Sequence, residues 1–209
     1  MQLIGMLDSP FVRRVAISFA TLGIPFEHKA VSVFSTFEQF HAINPVVKAP
    51  SLVCDDGEVL MDSSLILEYA EALAVPSGKS LMPAGLLARQ HALRLIGLAL
   101  AGCEKSVQIV YEQNLRPAEK RHQPWLERVQ KQLLAAYSGL EAELRQTKLN
   151  SGATQAGITS AVAWQFTQMM LPGLLDAGNF PLLQSLSQES EKLPQFIAFP
   201  PEGPGVRPS

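Results

Sequence analysis

The hydrophobic pattern changes near residue 75, and this change limits the possible folds more than any other feature of the chain. Before it, short apolar runs alternate with segments of helical spacing, whereas after it only the helical spacing is convincing. A stretch with the composition of a linker, VPSGKSLMPAG, lies at the change. The sequence therefore predicts a small domain of strands and helices at residues 1–75, a linker at 76–86 and an all-helical domain at 87–199. Residues 200–209 are Pro-rich and are predicted to form a tail without core residues.

The first domain is predicted to follow the order β-α-β-α-β-β-α. The apolar run QLIGM is predicted to be a strand, and the segment of helical spacing after it ends at Gly23. A second strand is predicted in PFEHKAV and a second helix in STFEQFHAI. Such an order favours two parallel strands joined by a right-handed crossover. Asp56-Gly57 then separates two further apolar runs, which predicts an antiparallel hairpin before the third helix, SSLILEYAEAL.

The second domain is predicted to contain at least four helices. Apolar spacing indicates helices over about residues 86–114 and 124–147, and a mostly buried helix that begins at Thr159 as its N-cap. The segment NSGATQAG, residues 150–157, is predicted to be the loop before that helix. A last helix is predicted within NFPLLQSLSQESEKL.

Charge and cysteine content exclude several classes of function. The 209 residues carry 17 basic and 19 acidic side chains, a formal net charge of -2, so no long-range field favours nucleic acid or an anionic membrane. Cys54 and Cys103 are too few for a disulfide framework or a zinc site, and both are predicted to be packing residues. The four histidines are not clustered as metal ligands. With no signal-peptide pattern and no apolar run of the ~18 residues that span a bilayer, the expected location is cytoplasmic.

Three motifs occur in a specific order in the first domain: SPFVRRV, NPVVKAPSL and DSSLILEY. Each alone is an ordinary cap or turn. In this order and spacing, however, they resemble the motifs of cytosolic glutathione S-transferases, and the chain resembles a divergent bacterial member of the Ser type over nearly its whole length. The resemblance implies a thioredoxin-like first domain followed by the all-helical C-terminal domain of that family.

The resemblance also implies a glutathione site at one edge of the sheet. The Ala49-Pro50 bond would be cis, and the backbone of Ala49 would pair with the cysteinyl backbone of glutathione. Ser63 and the N–H groups behind it would take the γ-glutamyl carboxylate, and Asp62 the ammonium. An ordinary turn, plain helix capping and a solvated Lys48 are the alternatives. The implied glutathione-binding residues are Phe11, Lys48, Ala49, Pro50, Asp62 and Ser63.

Ser9 matches the catalytic serine of the Ser-type members, whose hydroxyl donates to the glutathione sulfur. A free thiol has a pKa near ~8.5, and lowering it by ~2 units requires ~2.7 kcal/mol. A helix terminus contributes ~0.3 to 1 kcal/mol and a hydrogen bond to a charged group ~1.5 to 3 kcal/mol, so the two together suffice. The alternative is that Ser9 only caps the first helix. No tyrosine stands at Met6 or Leu7, and no cysteine follows Leu7 before Val15, which disfavours the Tyr-type and Cys-type chemistries.

The predicted function is conjugation of the glutathione thiolate to small hydrophobic electrophiles, as in detoxification. By position in the family, the electrophile pocket would be lined by Leu7, Gln108, Tyr111 and Trp164, although such residues are also common in cores. A glutathione-dependent reductase or peroxidase, and a non-catalytic protein-binding scaffold, are the alternatives. Glutathione is the expected co-substrate, no metal is expected, and a two-fold homodimer is the expected assembly.

Overall fold

The computed structural model describes residues 1–147 and 153–206, which form two compact units. The first contains Met1–Leu81 together with residues 194–206, and the second contains the described part of residues 82–193. The sequence assigned residues 194–199 to the helical domain and residues 200–209 to a separate tail, whereas the described residues from 194 onward belong to the first unit. Residues 148–152 of the second domain, which include part of the predicted loop, and tail residues 207–209 lie outside the described residues.

The first unit has the predicted order of strands and helices. Its elements are β1 (Gln2–Ile4), α1 (Pro10–Leu22), β2 (Glu27–Lys29), α2 (Phe37–Ile43), β3 (Ser51–Val53), β4 (Val59–Met61) and α3 (Ser63–Ala74), with the short α8 (Pro194–Ile197) returning to it. The sheet order is β2-β1-β3-β4, in which β1 and β2 are parallel and the other pairs antiparallel. The thioredoxin-like arrangement, the parallel pair and the antiparallel hairpin are all confirmed.

The register of the central strands brings three chain segments to one edge of the sheet. Ile4, the last residue of β1, lies opposite Ser51, the first residue of β3, and Ser51 lies opposite Met61, the last residue of β4. The loop after β1, the loop before β3 and the start of α3 therefore meet at the same edge.

Apolar spacing along α1 explains how the helix covers this sheet. Val12, Val15, Ala16 and Phe19 are all fully buried, as are Leu3 and Ile4 of β1. Burial of one such aliphatic or aromatic side chain contributes about 1.5 to 3 kcal/mol, so this face alone is enough to hold α1 in position. The first turn of α1 and the sheet edge are consequently placed by the core of the unit.

The described residues of the second unit form helices joined by loops and contain no strand. It contains α4 (Leu86–Asn114), α5 (Gln123–Gln146), α6 (Gln155–Met170) and α7 (Pro181–Ser190). Helix α4 packs against both α5 and α6, and α6 packs against α7. The predicted bounds of α4 are confirmed, and those of α5 differ by one residue at each end.

The predicted start of α6 at Thr159 was wrong. The helix begins at Gln155 after Thr154, whose Oγ1 accepts from the N–H of Gly157 at 3.1 Å. Thr159 lies inside the helix and is 1% exposed. Both threonines are acceptable caps by residue type, and the choice between them depends on the burial of residues 155–158, which the sequence does not display.

Two buried polar groups organise the helical unit. The Tyr137 hydroxyl donates to the carbonyl of Ala163 at 2.8 Å, and burial raises the pKa of this phenol well above its usual value. The Glu141 carboxylate on α5, 3% exposed, accepts from the N–H groups of Leu182 and Leu183 at 3.1 and 2.9 Å. A carboxylate at the N-terminus of α7 accepts from N–H groups that lack a partner within the helix, and its negative charge interacts favourably with the helix dipole.

Gly5, the residue after β1, lies in close contact with Val12 of α1 and with Ala49. Its φ is 141°, and a Cβ there would lie 2.5 Å from Cγ2 of Val12 and 3.3 Å from Cβ of Ala49. Gly5→Ala is expected to lower the free energy of unfolding by about 1 to 3 kcal/mol, because both the conformation and the space require glycine. Urea unfolding measures this.

The matched control is Gly97→Ala, at an exposed glycine of α4 where a Cβ meets no atom within 4 Å. Because alanine favours a helix interior, this variant is expected to gain up to about 1 kcal/mol. Equal effects of the two substitutions would contradict the close approach at Gly5.

Candidate functional site

Ser9 is the N-cap of α1 and lies beside the sheet edge. Its Oγ accepts from the N–H of Val12 at 3.5 Å, the long limit for such a bond, and its backbone is extended. A serine hydroxyl that accepts one hydrogen bond still has its own proton to donate. Capping and donation to a ligand are therefore compatible roles, and the half-buried Ser9 can perform both.

The loop before β3 is held by a buried asparagine. Asn44, 6% exposed, donates from Nδ2 to Oγ of Ser51 at 2.8 Å and accepts at Oδ1 from the N–H of Val46 at 3.0 Å. Ser51 in turn donates to the carbonyl of Lys48 at 2.8 Å. These bonds fix both ends of the turn that contains Ala49.

The Ala49-Pro50 peptide bond is cis. In the described chain, the backbone N–H and C=O of Ala49 make no hydrogen bond with another protein group, although Ala49 lies only two residues before Ser51, which pairs with Ile4 of β1. Ala49 is half-buried, and a backbone N–H and C=O that lack protein partners can pair with an extended peptide laid along the edge.

The start of α3 carries a carboxylate and two hydroxyls. Asp62, with a φ of 75°, caps the helix by accepting from the N–H of Ser64 at 2.9 Å, and its Oδ2 lies 3.4 Å from Nζ of Lys48. Burial by itself raises the pKa of the Asp62 carboxyl, but the Ser64 N–H and Lys48 outweigh it, so the pKa is lowered from the ordinary value. Asp62 is therefore an anion at neutral pH.

A buried arginine supports this helix start from α1. Arg14, 2% exposed, donates from Nη1 to Oγ of Ser63 at 3.0 Å and to Oγ of Ser64 at 3.3 Å. Its positive charge adds to the field of the helix N-terminus. The sequence shows two successive arginines after the SPF motif but does not indicate which of them faces α3, because a buried arginine and a surface arginine are identical in the pattern.

Asp8 is a second feature that the sequence analysis did not single out. Its Oδ2 accepts from the N–H of Gly205 at 2.8 Å, which links the loop before Ser9 to residues 194–206. Burial raises the pKa of the Asp8 carboxyl above its usual value, although the N–H groups of Gly205 and Ser9 partly oppose the rise. No sequence signal connects these positions, since they lie at opposite ends of the chain.

The structure brings Ser9 and all six of the predicted glutathione-binding residues to one edge of the first unit. Ser9 and Phe11 lie in or next to the first turn of α1, and the remaining members lie in the loop before β3 or at the start of α3. Leu7 and Phe11 are half-buried in this unit. The residues gathered at the edge are Ser9, Phe11, Lys48, Ala49, Pro50, Asp62 and Ser63.

The predicted pocket residues of the helical unit have different environments. Tyr111 is 39% exposed, and Gln108 donates from Nε2 to Glu104 at 2.9 Å. Trp164 is 1% exposed, donates from Nε1 to Gln184 at 2.8 Å and packs edge-on against Tyr137. The prediction of Trp164 as a ligand contact is therefore corrected: the side chain belongs to the core of the helical unit.

Metal-binding and membrane-spanning features were also sought in residues 1–147 and 153–206. These residues contain no group of three or more His, Cys, Asp or Glu side chains able to hold a metal ion. None of the helices in this part of the chain combines the length and apolar character needed to cross a membrane.

Comparisons with known proteins agree with this geometry. Residues 3–78 match the family model described as the N-terminal domain of glutathione S-transferase. Over 176 residues the chain is 28% identical to the uncharacterized GST-like protein YibF of Escherichia coli K12, a match that covers 83% of this chain and 86% of the relative.

Solved structures extend the likeness to both units. A glutathione S-transferase of Methylobacterium radiotolerans, in complex with glutathione sulfonate, has a TM-score of 0.89 at 24% identity, covering 100% of this chain and 98% of its own. At this identity the likeness concerns the fold. A glutathione transferase family member of Pseudomonas fluorescens, with bound glutathione, has a TM-score of 0.80 at 27% identity, covering 100% of this chain and 98% of its own.

The raised pKa of Asp8 predicts a pH-dependent difference in stability. Because the folded chain binds the proton of Asp8 more tightly than the unfolded chain, wild type loses stability as the pH rises from the ordinary value of 3.8 through the raised pKa. Asp8→Asn cannot ionise but still accepts from Gly205. Its stability relative to wild type is therefore expected to increase over this pH window and then remain constant.

Chemical denaturation of both proteins between acid and neutral pH measures the difference. A difference that shrinks as the pH rises would contradict the burial of the Asp8 carboxyl.

Proposed function

We propose that this chain, which belongs to the glutathione S-transferase family, binds glutathione and transfers its thiolate to small hydrophobic electrophiles. The observation that carries the proposal is the register that aligns Ile4, Ser51 and Met61 and so gathers the three motif segments at one sheet edge. Similar solved structures that contain glutathione or a derivative support it. A reducing compartment such as the cytoplasm suits Cys54 and Cys103, which are buried and form no disulfide.

The γ-glutamyl end of glutathione is expected at the start of α3. Its carboxylate would accept from the hydroxyl of Ser63 and the N–H groups behind it, where the helix terminus and the buried Arg14 both favour negative charge. Asp62, an anion at neutral pH, would take the ammonium group. Opposite charges thus fit the two charged groups of one amino-acid end.

The cysteinyl and glycyl parts are expected along the loop before β3. The N–H and C=O of Ala49 would pair with the cysteinyl backbone as an added strand does. Lys48 is 52% exposed at its side chain and pairs with Asp62 at 3.4 Å, a weak contact for exposed groups, so it is able to turn toward the glycine carboxylate. Phe11, in the first turn of α1, supplies apolar surface.

The sulfur of glutathione is expected beside Ser9. The hydroxyl would donate to the thiolate, and the N-terminus of α1 would add a favourable field. Both effects stabilise the anion more than the neutral thiol, and so they lower the pKa of the bound thiol. Holding the thiolate next to an electrophile then supplies the remaining acceleration. Leu7, Gln108 and Tyr111 remain candidates for contact with the electrophile.

Ser9→Ala tests the role of the hydroxyl. The bound glutathione thiol is expected to have a pKa well below ~8.5 in wild type, and the variant is expected to raise it by about 1 to 2 units and to lower turnover about 10- to 100-fold. Thiolate absorbance against pH measures the pKa. Ser9→Thr keeps a hydroxyl and is the matched control, so it should recover most of the lowered pKa.

Unchanged thiol pKa and turnover in Ser9→Ala would leave Ser9 as a helix cap alone. Product analysis separates the chemistries: a thioether supports transfer, whereas oxidised glutathione supports a reductase or peroxidase. Absence of glutathione binding in wild type would favour a protein-binding scaffold instead.

We further propose a two-fold homodimer. Leu86 and Leu87 at the start of α4 are 81% and 80% exposed, and Leu93, one heptad after Leu86, is 55% exposed. Neighbouring exposed leucines are typical of a protein interface. Leu86→Arg is expected to shift the sedimenting species toward the mass of one chain, whereas Leu134→Arg, at a 48% exposed leucine of α5, should not. A wild-type protein that sediments as a single chain would contradict the dimer.

A further inference from the structure

The segment of residues 194–206, here called the C-terminal strap, is anchored on α1 by a buried arginine. Arg13, 1% exposed, donates from Nε to the carbonyl of Phe199 at 2.8 Å, and its guanidinium lies 5.5 Å from the ring centre of Phe196. Phe199 stacks on Phe26 with ring centres 5.5 Å apart, and Phe26 meets Phe19 edge-on at 5.4 Å. The strap is therefore packed on the first unit by aromatic and charged contacts together.

Beyond this anchor, the strap reaches the residue before Ser9. The N–H of Gly205 donates to Oδ2 of Asp8 at 2.8 Å. Gly203 passes so close that a Cβ on it would overlap the Asp8 carboxylate. Two glycines of the strap thus surround one carboxylate, and neither contact follows from the packing of Phe199.

We infer that the C-terminal strap positions Asp8, and through it Ser9, so that the Asp8 carboxylate is occupied by a backbone N–H instead of facing the thiolate that Ser9 stabilises. This inference rests on the proposed function. Asp8 is a positioning residue in this scheme, because it acts through its neighbour and does not touch the sulfur.

Electrostatics gives the direction of the effect. A carboxylate close to a thiolate disfavours the anionic form and raises the thiol pKa, whereas a carboxylate held away from the thiolate by a hydrogen bond has a smaller effect because the interaction of two charges falls with distance. The loop from Gly5 to Ser9 is short, so movement of Asp8 also moves the hydroxyl of Ser9.

Other charged groups lie on the elements packed around this loop. In the described residues, α1 contributes Arg13 and Arg14, and the strap contributes Glu202. β2 contributes the ion pair of Glu27 and Lys29 together with His28, whose Nε2 lies 2.8 Å from the Gly5 carbonyl oxygen. Asp8 is the carboxylate nearest to Ser9 along the chain.

Two truncations of the full chain test the inference. Removal of residues 201–209 deletes Gly203 and Gly205 but keeps Phe196 and Phe199, and removal of residues 207–209 is the matched control. The first truncation is expected to raise the thiol pKa of bound glutathione by about half a unit or more. Such a rise lowers the ratio of thiolate to thiol at neutral pH about threefold or more. The control should match wild type. Thiolate absorbance gives the pKa, and thermal unfolding reports on overall integrity.

Asp8→Asn separates the charge of Asp8 from a general loosening of the chain. If the carboxylate causes the rise, the truncation should have little effect on the thiol pKa in the Asp8→Asn background. Gly203→Ala offers a route without truncation, since its Cβ displaces the Asp8 carboxylate. Gly97→Ala, the same substitution at a glycine where a Cβ meets no atom within 4 Å, is its control.

The outcomes distinguish the two proposals. A lowered thiol pKa in wild type that neither the truncation nor Gly203→Ala changes would overturn the role of the strap and leave the proposed function intact. If truncation raises the thiol pKa as much in the Asp8→Asn background as in wild type, the role of the carboxylate is overturned. No lowering of the thiol pKa in wild type would overturn both the strap and the proposed function.

Discussion

The pairing of β3 with both β1 and β4 is the constraint on which the candidate site depends. Because Ile4, Ser51 and Met61 are aligned across three strands, the segments that follow or precede them must meet at one edge. A shift of one residue in this register would turn every side chain of β3 to the opposite face and would separate the loop before it from α1. The fully buried side chains of α1 and β1 prevent such a shift.

The charges at this edge are arranged by contacts between helices. Arg14 of α1 reaches the first hydroxyls of α3, so a positive charge lies under the helix terminus that is proposed to bind a carboxylate. Asp62 keeps its negative charge because the Ser64 N–H and Lys48 outweigh its partial burial. The same small area thus presents positive charge to a carboxylate and negative charge to an ammonium group. This pattern is expected of a site that binds a zwitterionic amino-acid group.

The two arginines that follow the SPF motif show how differently neighbouring residues are used. Arg13 holds residues 194–206 through the carbonyl of Phe199, whereas Arg14 supports the start of α3. Successive residues on a helix point about 100° apart, so two adjacent cations can contact different elements. One helix therefore connects the candidate ligand site with the far end of the chain.

Local sequence signals determined most of the first unit: Gly23 ended α1, Asp56-Gly57 made the hairpin, and apolar spacing gave the element order, because these depend on neighbouring residues alone. Only the tertiary structure decided which threonine begins α6, that Trp164 is a core residue, and that residues 194–206 return to Asp8. Each of these depends on burial or on contacts between distant positions. A single sequence carries no record of which distant groups will exclude water from a side chain, so such decisions appear only when the chain is folded.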